Sequence, residues 1–289
     1  MKTLRITGVP EHFNFPWMKV VASQPFEAKG IQLHWTDESR GSGQMNKALR
    51  DDETDVAIVL TESFLKDFEE GNLSRMIGYH VKSPLIWGIH IPGLSTVERL
   101  DQIRNPKFLI SRIGSGSHLM AFVLAQKAGW DPSKLEFKIA GNLDGALDSM
   151  NSEVPEMFLW EKYTTKPWVD SGDLTRIGEV PSPWPCFVIV ASEKAISEFG
   201  DVLFQLRDLV YQTSSEILID PRSSRQIHER YNLELEDVKA WLSQTIWETE
   251  ATINKSELEV AMEKMKDLGI LKSNLRFESF LSLGYLQIV

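Results

Sequence analysis

The sequence has 289 residues, of which 42% are hydrophobic and 25% charged, and its formal net charge is −10. These proportions predict a folded chain of about two domains, or one large one, rather than a disordered chain. The Lys and Arg residues are scattered among 41 acidic ones, so no nucleic-acid partner is expected, because phosphate binding requires clustered cations. Cys186 is the single cysteine, which excludes a disulfide within the chain and a multi-cysteine metal site.

The N-terminal segment lacks the apolar run of roughly 7–15 residues that a secretory signal requires. No apolar stretch approaches the roughly 20 residues of a membrane-spanning helix. The sequence therefore predicts no membrane insertion and a cytoplasmic location. A periplasmic location would require an export signal in front of this sequence.

The first part of the chain alternates short β-branched runs with helical stretches. Strands are predicted at 4–9, 31–35 and 55–60, and helices at 16–28 and 44–50. The third strand is nearly all apolar, which is typical of a parallel strand covered by helices on both faces. This alternation at short pitch predicts βαβ units.

A second α/β series and a helical C-terminal part follow. The remaining predicted strands lie at 85–91, 108–110, 135–139, 157–160, 175–177 and 187–191. The remaining predicted helices lie at about 95–103, 118–128, 144–150, 197–219, 234–244 and 254–269. The sequence thus predicts an α/β fold of two lobes, each a mixed, mostly parallel sheet flanked by helices.

Ligands of parallel α/β sheets bind at the carboxyl ends of the strands. The residues at these positions are therefore the candidates for ligand binding. In the first series they are His12, Asn14, Trp17, Ser39, Ser42, Gly43, Gln44, Thr61 and Glu62, and in the second series Ser115, Gly116, Ser117, His118, Trp160 and Glu161.

Two glycine–serine stretches, 114–117 and 41–43, each precede a predicted helix. Inward-turned amides, hydroxyl donors and a helix N-terminus together suit a carboxylate, sulfonate or phosphate. The same residues are also common as ordinary helix caps and loop glycines. Both interpretations are open from the sequence, although the first stretch is neither a P-loop nor a full dinucleotide fingerprint.

The histidines and tryptophans among the candidates also allow two interpretations. His12 and His118 could bond a ligand or act as bases, or they could be capping or solvated residues. Trp160 could stack on a flat ligand, although most tryptophans belong to the core. The sequence shows no nucleophilic triad and no carboxylate–histidine spacing for a metal. No metal and no catalytic residues are predicted.

The segments 10–12, 41–49, 55–57, 111–118 and 160–167 carry a family resemblance. With them the chain resembles the type 2 periplasmic-binding-protein superfamily. The resemblance is strongest to the branch of nitrate, sulfonate and taurine binders and thiamine-pyrimidine-precursor proteins, including relatives without export signals.

The resemblance implies two lobes joined by two crossing strands, near 85–91 and 187–191. Lobe 1 would then combine residues 1–90 with 189–289, and lobe 2 would span residues 91–188. One small molecule would bind in the cleft between the lobes.

The function predicted in this way is non-catalytic binding of a small anionic or flat heterocyclic metabolite. The alternative is a cytoplasmic enzyme of the lyase, dehydratase or pyrimidine-precursor type, with His12, His118, Glu62 or Glu161 as acid–base groups. A third hypothesis is a regulatory protein whose closed form is recognised by a partner protein. Pyrimidine-synthesising relatives use a cysteine-rich motif and pyridoxal phosphate, and with one cysteine no cofactor is expected here. Without a signal peptide or lipid-anchor cysteine, the sequence gives no support for a transporter partner.

Overall fold

The computed structural model describes residues 1–150 and 155–289. The chain divides into two compact units. Unit 1 comprises Met1–Ser83 and Trp184–Val289, and unit 2 comprises Pro84–Pro183. Unit 2 is thus an insertion in the sequence of unit 1.

Each unit contains a five-stranded sheet with helices around it. The strands are β1 Lys2–Gly8, β2 Ile31–Asp37, β3 Val56–Leu60, β4 Arg75–Val81, β5 Ile86–Pro92, β6 Lys107–Ile110, β7 Glu136–Ile139, β8 Met157–Glu161, β9 Leu174–Pro181, β10 Phe187–Ala191, β11 Thr252–Ile253 and β12 Gln287–Ile288. The helices are α1 Phe15–Ser23, α2 Ser42–Arg50, α3 Thr61–Glu69, α4 Gly116–Ala128, α5 Leu143–Ser149, α6 Lys166–Asp170, α7 Glu193–Phe199, α8 Asp201–Ile219, α9 Ser223–Tyr231, α10 Leu235–Gln244, α11 Lys255–Asp267 and α12 Phe277–Phe280.

The two sheets have the same topology. Sheet 1 has the order β2-β1-β3-β10-β4, and sheet 2 has the order β7-β6-β8-β5-β9. In each, the first three strands are parallel and the fourth is antiparallel to both neighbours. The prediction of two mixed, mostly parallel sheets flanked by helices is confirmed.

The two strands expected to join the lobes each belong to one sheet. β5 pairs with β8 and β9 in unit 2, and β10 pairs with β3 and β4 in unit 1. Because each is hydrogen-bonded on both sides, neither is a free connection between units. The chain passes from one unit to the other at 83–84 and at 183–184, just before these strands.

Most predicted elements are present, with differences at three helices. The predicted helix 16–28 ends at Ser23, because Gln24 adopts a left-handed backbone with φ 44°. The predicted helix 197–219 is divided into α7 and α8 by Gly200, whose φ is 49°. The predicted helix near 95–103 is reduced to a single 3₁₀ turn at Leu100–Gln102.

Several elements were not predicted from the sequence, among them α3 and β4. The start of α3 follows β3 without an intervening loop, so its first residues resemble a strand end. β4 contains Gly78, which weakens the strand pattern. This glycine is required by packing, since a Cβ at residue 78 would lie 2.2 Å from the hydroxyl oxygen of Tyr211.

The edge strand β2 is completed by a side chain. The amide of Gln24 donates from Nε2 to the carbonyl oxygen of Leu33 at 2.8 Å, and its Oε1 accepts from the Leu33 N–H at 2.9 Å. The side chain thereby supplies both hydrogen bonds that a further strand would make. It also explains why α1 stops where it does, because Gln24 must turn toward β2.

Substitution Gln24→Asn tests this contact. Asparagine tolerates the left-handed backbone but is one methylene too short to reach Leu33, so two backbone groups lose their partner. We expect the free energy of unfolding in urea to fall by about 1–3 kcal/mol. The matched control is Gln32→Asn on the exposed face of β2, and equal stability of the two variants would contradict this account.

Candidate functional site

The segment after β1 folds back over the end of that strand. Asn14 donates from Nδ2 to the carbonyl oxygen of Val9 at 2.8 Å, and Gly8 leaves room for it, since a Cβ there would lie 2.8 Å from Nδ2. The Oδ1 of Asn14 is buried without a hydrogen-bond partner among the described residues, and the same is true of the Nε1 of Trp17. Each of these two predicted site residues therefore has one buried polar atom without a hydrogen bond to the described residues.

His12 lies in an aromatic cluster. Its ring centroid is 4.2 Å from that of Trp241, 5.0 Å from that of Phe13 and 6.2 Å from that of Tyr231. Burial lowers the pKa of His12 to about 3, so the imidazole is neutral at physiological pH. An acid or base role for His12 is therefore disfavoured by its surroundings.

The second predicted segment begins α2. Ser39 is exposed, and Gly43 and Gln44 are partly buried. Ser42 is buried, and its hydroxyl oxygen accepts from the N–H of Leu60 at 2.9 Å. This bond ties the first turn of α2 to the carboxyl end of β3, so the hydroxyl has a structural role.

Asn46, one helical turn after Ser42, was not among the predicted site residues. Its Nδ2 donates to the carbonyl oxygen and the hydroxyl of Ser63, at 3.0 and 3.1 Å. Its Oδ1 is buried without a hydrogen-bond partner in the part of the chain that the structure describes. A polar residue on the buried face of an amphipathic helix was the signal that could have identified it.

The start of α3 is joined to the segment before β10. Thr61 donates from its backbone N–H to the carbonyl oxygen of Cys186 at 3.0 Å and from its hydroxyl to that of Pro185 at 2.6 Å. Glu62, fully buried, accepts from the indole N–H of Trp184 through Oε2 at 2.8 Å. Trp184 was not among the predicted site residues, because its contact with Glu62 spans 122 positions of sequence and has no local signal.

Four buried atoms thus lack a hydrogen-bond partner among the described residues, and we call them the unit 1 polar set: Asn14 Oδ1, Trp17 Nε1, Asn46 Oδ1 and Glu62 Oε1. All lie on segments that follow β1, β2 or β3, at the carboxyl edge of one parallel sheet. Other such atoms, on Tyr79, Trp87 and Glu248 for example, belong to other elements. A buried polar atom left unpaired costs about 1–3 kcal/mol, so a concentration of four at a ligand-binding edge points to a site.

In unit 2 the glycine–serine stretch is largely satisfied from within. Ser115 caps α4 by accepting from the N–H of His118 at 3.3 Å. Ser117 accepts from the N–H of Ser111 at 3.1 Å, and the two serine hydroxyls are 3.0 Å apart. His118 accepts from the N–H of Gly114 through Nδ1 at 3.0 Å. The hydroxyls therefore act as caps, which leaves the first-turn amides, including that of Gly116, as the donors for a ligand.

The other predicted pair of unit 2 lies at the end of β8. Glu161 is buried and accepts through Oε2 from the N–H groups of Tyr163 and Thr164, at 2.9 and 2.6 Å. Burial raises the pKa of Glu161 to about 7. Trp160 stacks on Phe158 with 5.1 Å between ring centroids, and its Nε1 has no hydrogen-bond partner in the described chain.

Within residues 1–150 and 155–289, no group of three or more His, Cys, Asp or Glu side chains is arranged to hold a metal ion. In the same residues, none of the helices combines the length and apolar character needed to cross a membrane.

Substitution Ser117→Ala tests the capping role of the unit 2 loop. It removes the acceptor of the buried Ser111 N–H, so the free energy of unfolding should fall by about 1–3 kcal/mol in urea titrations. Ser133→Ala, in an exposed turn of unit 2, is the matched control and should change stability less. An unchanged stability of Ser117→Ala would show that the hydroxyl does not hold the loop.

Substitution Glu62→Gln tests the burial of that carboxyl. Burial raises the pKa of Glu62 from 4.5 to about 7, so between pH 5 and 7 the unfolded chain loses a proton that the folded chain keeps. Its contribution to stability is thus present at low pH and is lost as pH rises. Relative to wild type, Glu62→Gln should gain about 1.4 kcal/mol of unfolding free energy per pH unit in this range.

Glu70→Gln, at the exposed end of α3, is the control for the pH measurement. It removes an exposed carboxylate that pairs with Lys66, so it serves as the reference against which the pH dependence of Glu62→Gln is measured. A constant difference between Glu62→Gln and wild type would contradict the expected shift.

Comparisons with known proteins agree with this architecture. Residues 88–180 match a family model described as Ca3427-like PBP. The CA3427 gene product of Candida albicans, whose structure is described as the generic periplasmic binding protein fold, is 26% identical and covers 99% of this chain and 97% of its own, with a TM-score of 0.86. No curated protein sequence matches the chain.

Two more distant structures share the fold. The alkanesulfonate-binding protein SsuA of Xanthomonas axonopodis pv. citri, bound to MOPS, is 12% identical with a TM-score of 0.79, covering 100% of this chain and 99% of its own. PhnD1 of Prochlorococcus marinus, in complex with methylphosphonate, is 13% identical with a TM-score of 0.59, covering 93% and 99%. Together with the sheet order, these likenesses confirm the fold expected from the sequence: the chain has the type 2 periplasmic-binding-protein fold, as found in the sulfonate-binding proteins.

Proposed function

We propose that this protein is a non-catalytic binding protein for one small, flat heterocyclic metabolite. The observation that carries the proposal is the unit 1 polar set, whose four buried atoms lack partners among the described residues. Such atoms are destabilising unless another molecule satisfies them. Their place at the carboxyl edge of a parallel sheet is where ligands of such sheets bind.

The chemistry of these atoms favours a ligand that donates hydrogen bonds. Three of the four are oxygens of Asn14, Asn46 and Glu62, and one is the indole nitrogen of Trp17. A heterocycle with N–H groups presents donors in a plane, and the neighbouring indoles of Trp17 and Trp35, 6.3 Å apart between centroids, provide apolar surface for its ring. In unit 2, the first-turn amides of α4 suit an anionic group, and relatives of this fold bind MOPS and methylphosphonate.

Binding without turnover is favoured by the state of the candidate catalytic groups. His12 is buried among aromatic rings with its pKa lowered to about 3, and the hydroxyls of Ser115 and Ser117 are occupied in the cap of α4. The second candidate function, acid–base catalysis, rests on Glu62 and Glu161, whose pKa values burial raises to about 7. A carboxyl titrating near neutrality is able to exchange protons at physiological pH.

Native mass spectrometry and a thermal-shift panel test the proposal. The panel contains pyrimidines, purines and pyridines beside sulfonates, carboxylates and phosphates. A ligand at about 100 times its Kd should add about 2.7 kcal/mol to the free energy of unfolding. The same ligand recovered unchanged after long incubation supports binding over catalysis, whereas a new product would favour the enzyme. No shift with any compound and no retained mass would overturn the proposal.

Trp17→Phe localises the bound ligand to unit 1. The substitution keeps the aromatic ring and removes only the indole N–H, so it should leave folding intact and lower affinity by about 3- to 30-fold, the equivalent of one hydrogen bond. Trp130→Phe, in unit 2, is the matched control and should bind as wild type does. If both variants bound the ligand with equal affinity, the indole N–H of Trp17 would not contribute to ligand binding.

A further inference from the structure

Glu62 differs from the other members of the unit 1 polar set because it is ionisable. The residue is fully buried at the start of α3. Burial is the main cause of its raised pKa, and no charged side chain contributes to the shift. Among the described residues it forms no ion pair, whereas an isolated buried carboxylate is among the costliest groups a protein can hold.

The contact with Trp184 does not account for an acid at this position. The indole N–H is a single donor, and it is satisfied by Oε2 at 2.8 Å. A glutamine carbonyl would accept this bond equally well without the cost of an ionisable buried group. The second oxygen, Oε1, makes no hydrogen bond to the described chain. The carboxyl can therefore accept hydrogen bonds in addition to the one from Trp184.

The surroundings of Glu62 are rich in acceptors. The backbone N–H and hydroxyl of Thr61 already donate to Cys186 and Pro185, so these donors at the start of α3 are engaged within the protein. Asn46 donates to Ser63, the next residue after Glu62, and its Oδ1 has no hydrogen-bond partner among the described residues. A ligand group with several N–H donors would therefore find acceptors in Glu62 Oε1 and Asn46 Oδ1.

We propose that Glu62 recognises a basic, N–H-bearing nitrogen group of the ligand, of the amidine or amino-heterocycle class. This inference rests on the binding function proposed above and specifies the ligand class that unit 1 recognises. Each carboxylate oxygen accepts more than one hydrogen bond, so Oε1 and the remaining capacity of Oε2 can receive the paired N–H groups of an amidine. Asn46 Oδ1 is the neighbouring acceptor for a further N–H.

Three benzene derivatives of one size distinguish the ligand classes: benzamidine carries an amidinium, benzamide a neutral amide and benzenesulfonate an anion. Isothermal titration of the full chain should show benzamidine binding about 10- to 100-fold more tightly than the other two, as expected for a charge-assisted hydrogen-bonded pair. Glu62→Gln should abolish this preference. Glu70→Gln, which changes an exposed carboxylate of the same helix, should retain it.

A measurement on the wild-type chain keeps the test independent of variant folding. In carbon-13 NMR, the δ-carboxyl resonance that the Glu62→Gln spectrum lacks should move toward the ionised position when benzamidine is added at pH 6. The inference would be overturned if the chemical shift of the Glu62 δ-carboxyl carbon did not change on addition of benzamidine. Equal benzamidine affinity of wild type and Glu62→Gln would also overturn it.

The results also separate this inference from the function on which it rests. Preferential binding of benzenesulfonate, unaffected by Glu62→Gln, would refute recognition of a basic nitrogen and leave the binding function standing. Absence of binding by all three probes, together with a negative metabolite panel, would overturn both.

Discussion

The pairing of β10 with β3 and β4 is the contact on which the candidate site depends. All five residues of β10 are buried, and the strand is bonded on both sides. Because β10 runs antiparallel to β3, its N-terminal end lies at the carboxyl end of β3. Trp184, Pro185 and Cys186 thereby reach the start of α3, where they bond to Thr61 and Glu62. When the chain returns to unit 1 at residue 184, it thus brings the residues before β10 to the carboxyl end of β3.

The repeated topology places a glutamate at the same point of each unit. Glu62 follows β3 and Glu161 ends β8, and these strands hold equivalent positions in their sheets. Both carboxyls are buried, and burial raises the pKa of both to about 7. Their partners differ: Glu161 accepts from two backbone N–H groups of its own turn, whereas Glu62 accepts from its own backbone N–H and from a distant indole. The first arrangement is local and stabilises the turn, and the second leaves an oxygen for another molecule.

Sequence patterns predicted the features that local chemistry determines. The apolar runs at β3 and β10 identified buried strands, and the carboxyl-edge rule identified Asn14, Trp17 and Glu62 as site candidates. What the patterns did not predict depends on contacts distant in sequence. The end of α1 at Gln24 reflects bonds to Leu33, and the role of Trp184 reflects its contact with Glu62. The glycine–serine motif before α4 was compatible with a helix cap or with an anion site. Its sequence does not show which donors and acceptors lie within hydrogen-bonding distance of the serine hydroxyls in the fold.

A shared fold does not determine the ligand, because the fold fixes only where strand ends lie, and the side chains placed there set the chemistry. Structures with this fold hold MOPS, which carries a sulfonate group, and methylphosphonate. At the carboxyl edge of sheet 1 this chain instead has the carboxyl of Glu62 and the carbonyl oxygens of Asn14 and Asn46. An anion placed against these oxygens would be repelled and would leave them unpaired, whereas a donor-rich ligand would remove both penalties. The same scaffold can therefore select ligands of opposite character through a few buried polar atoms.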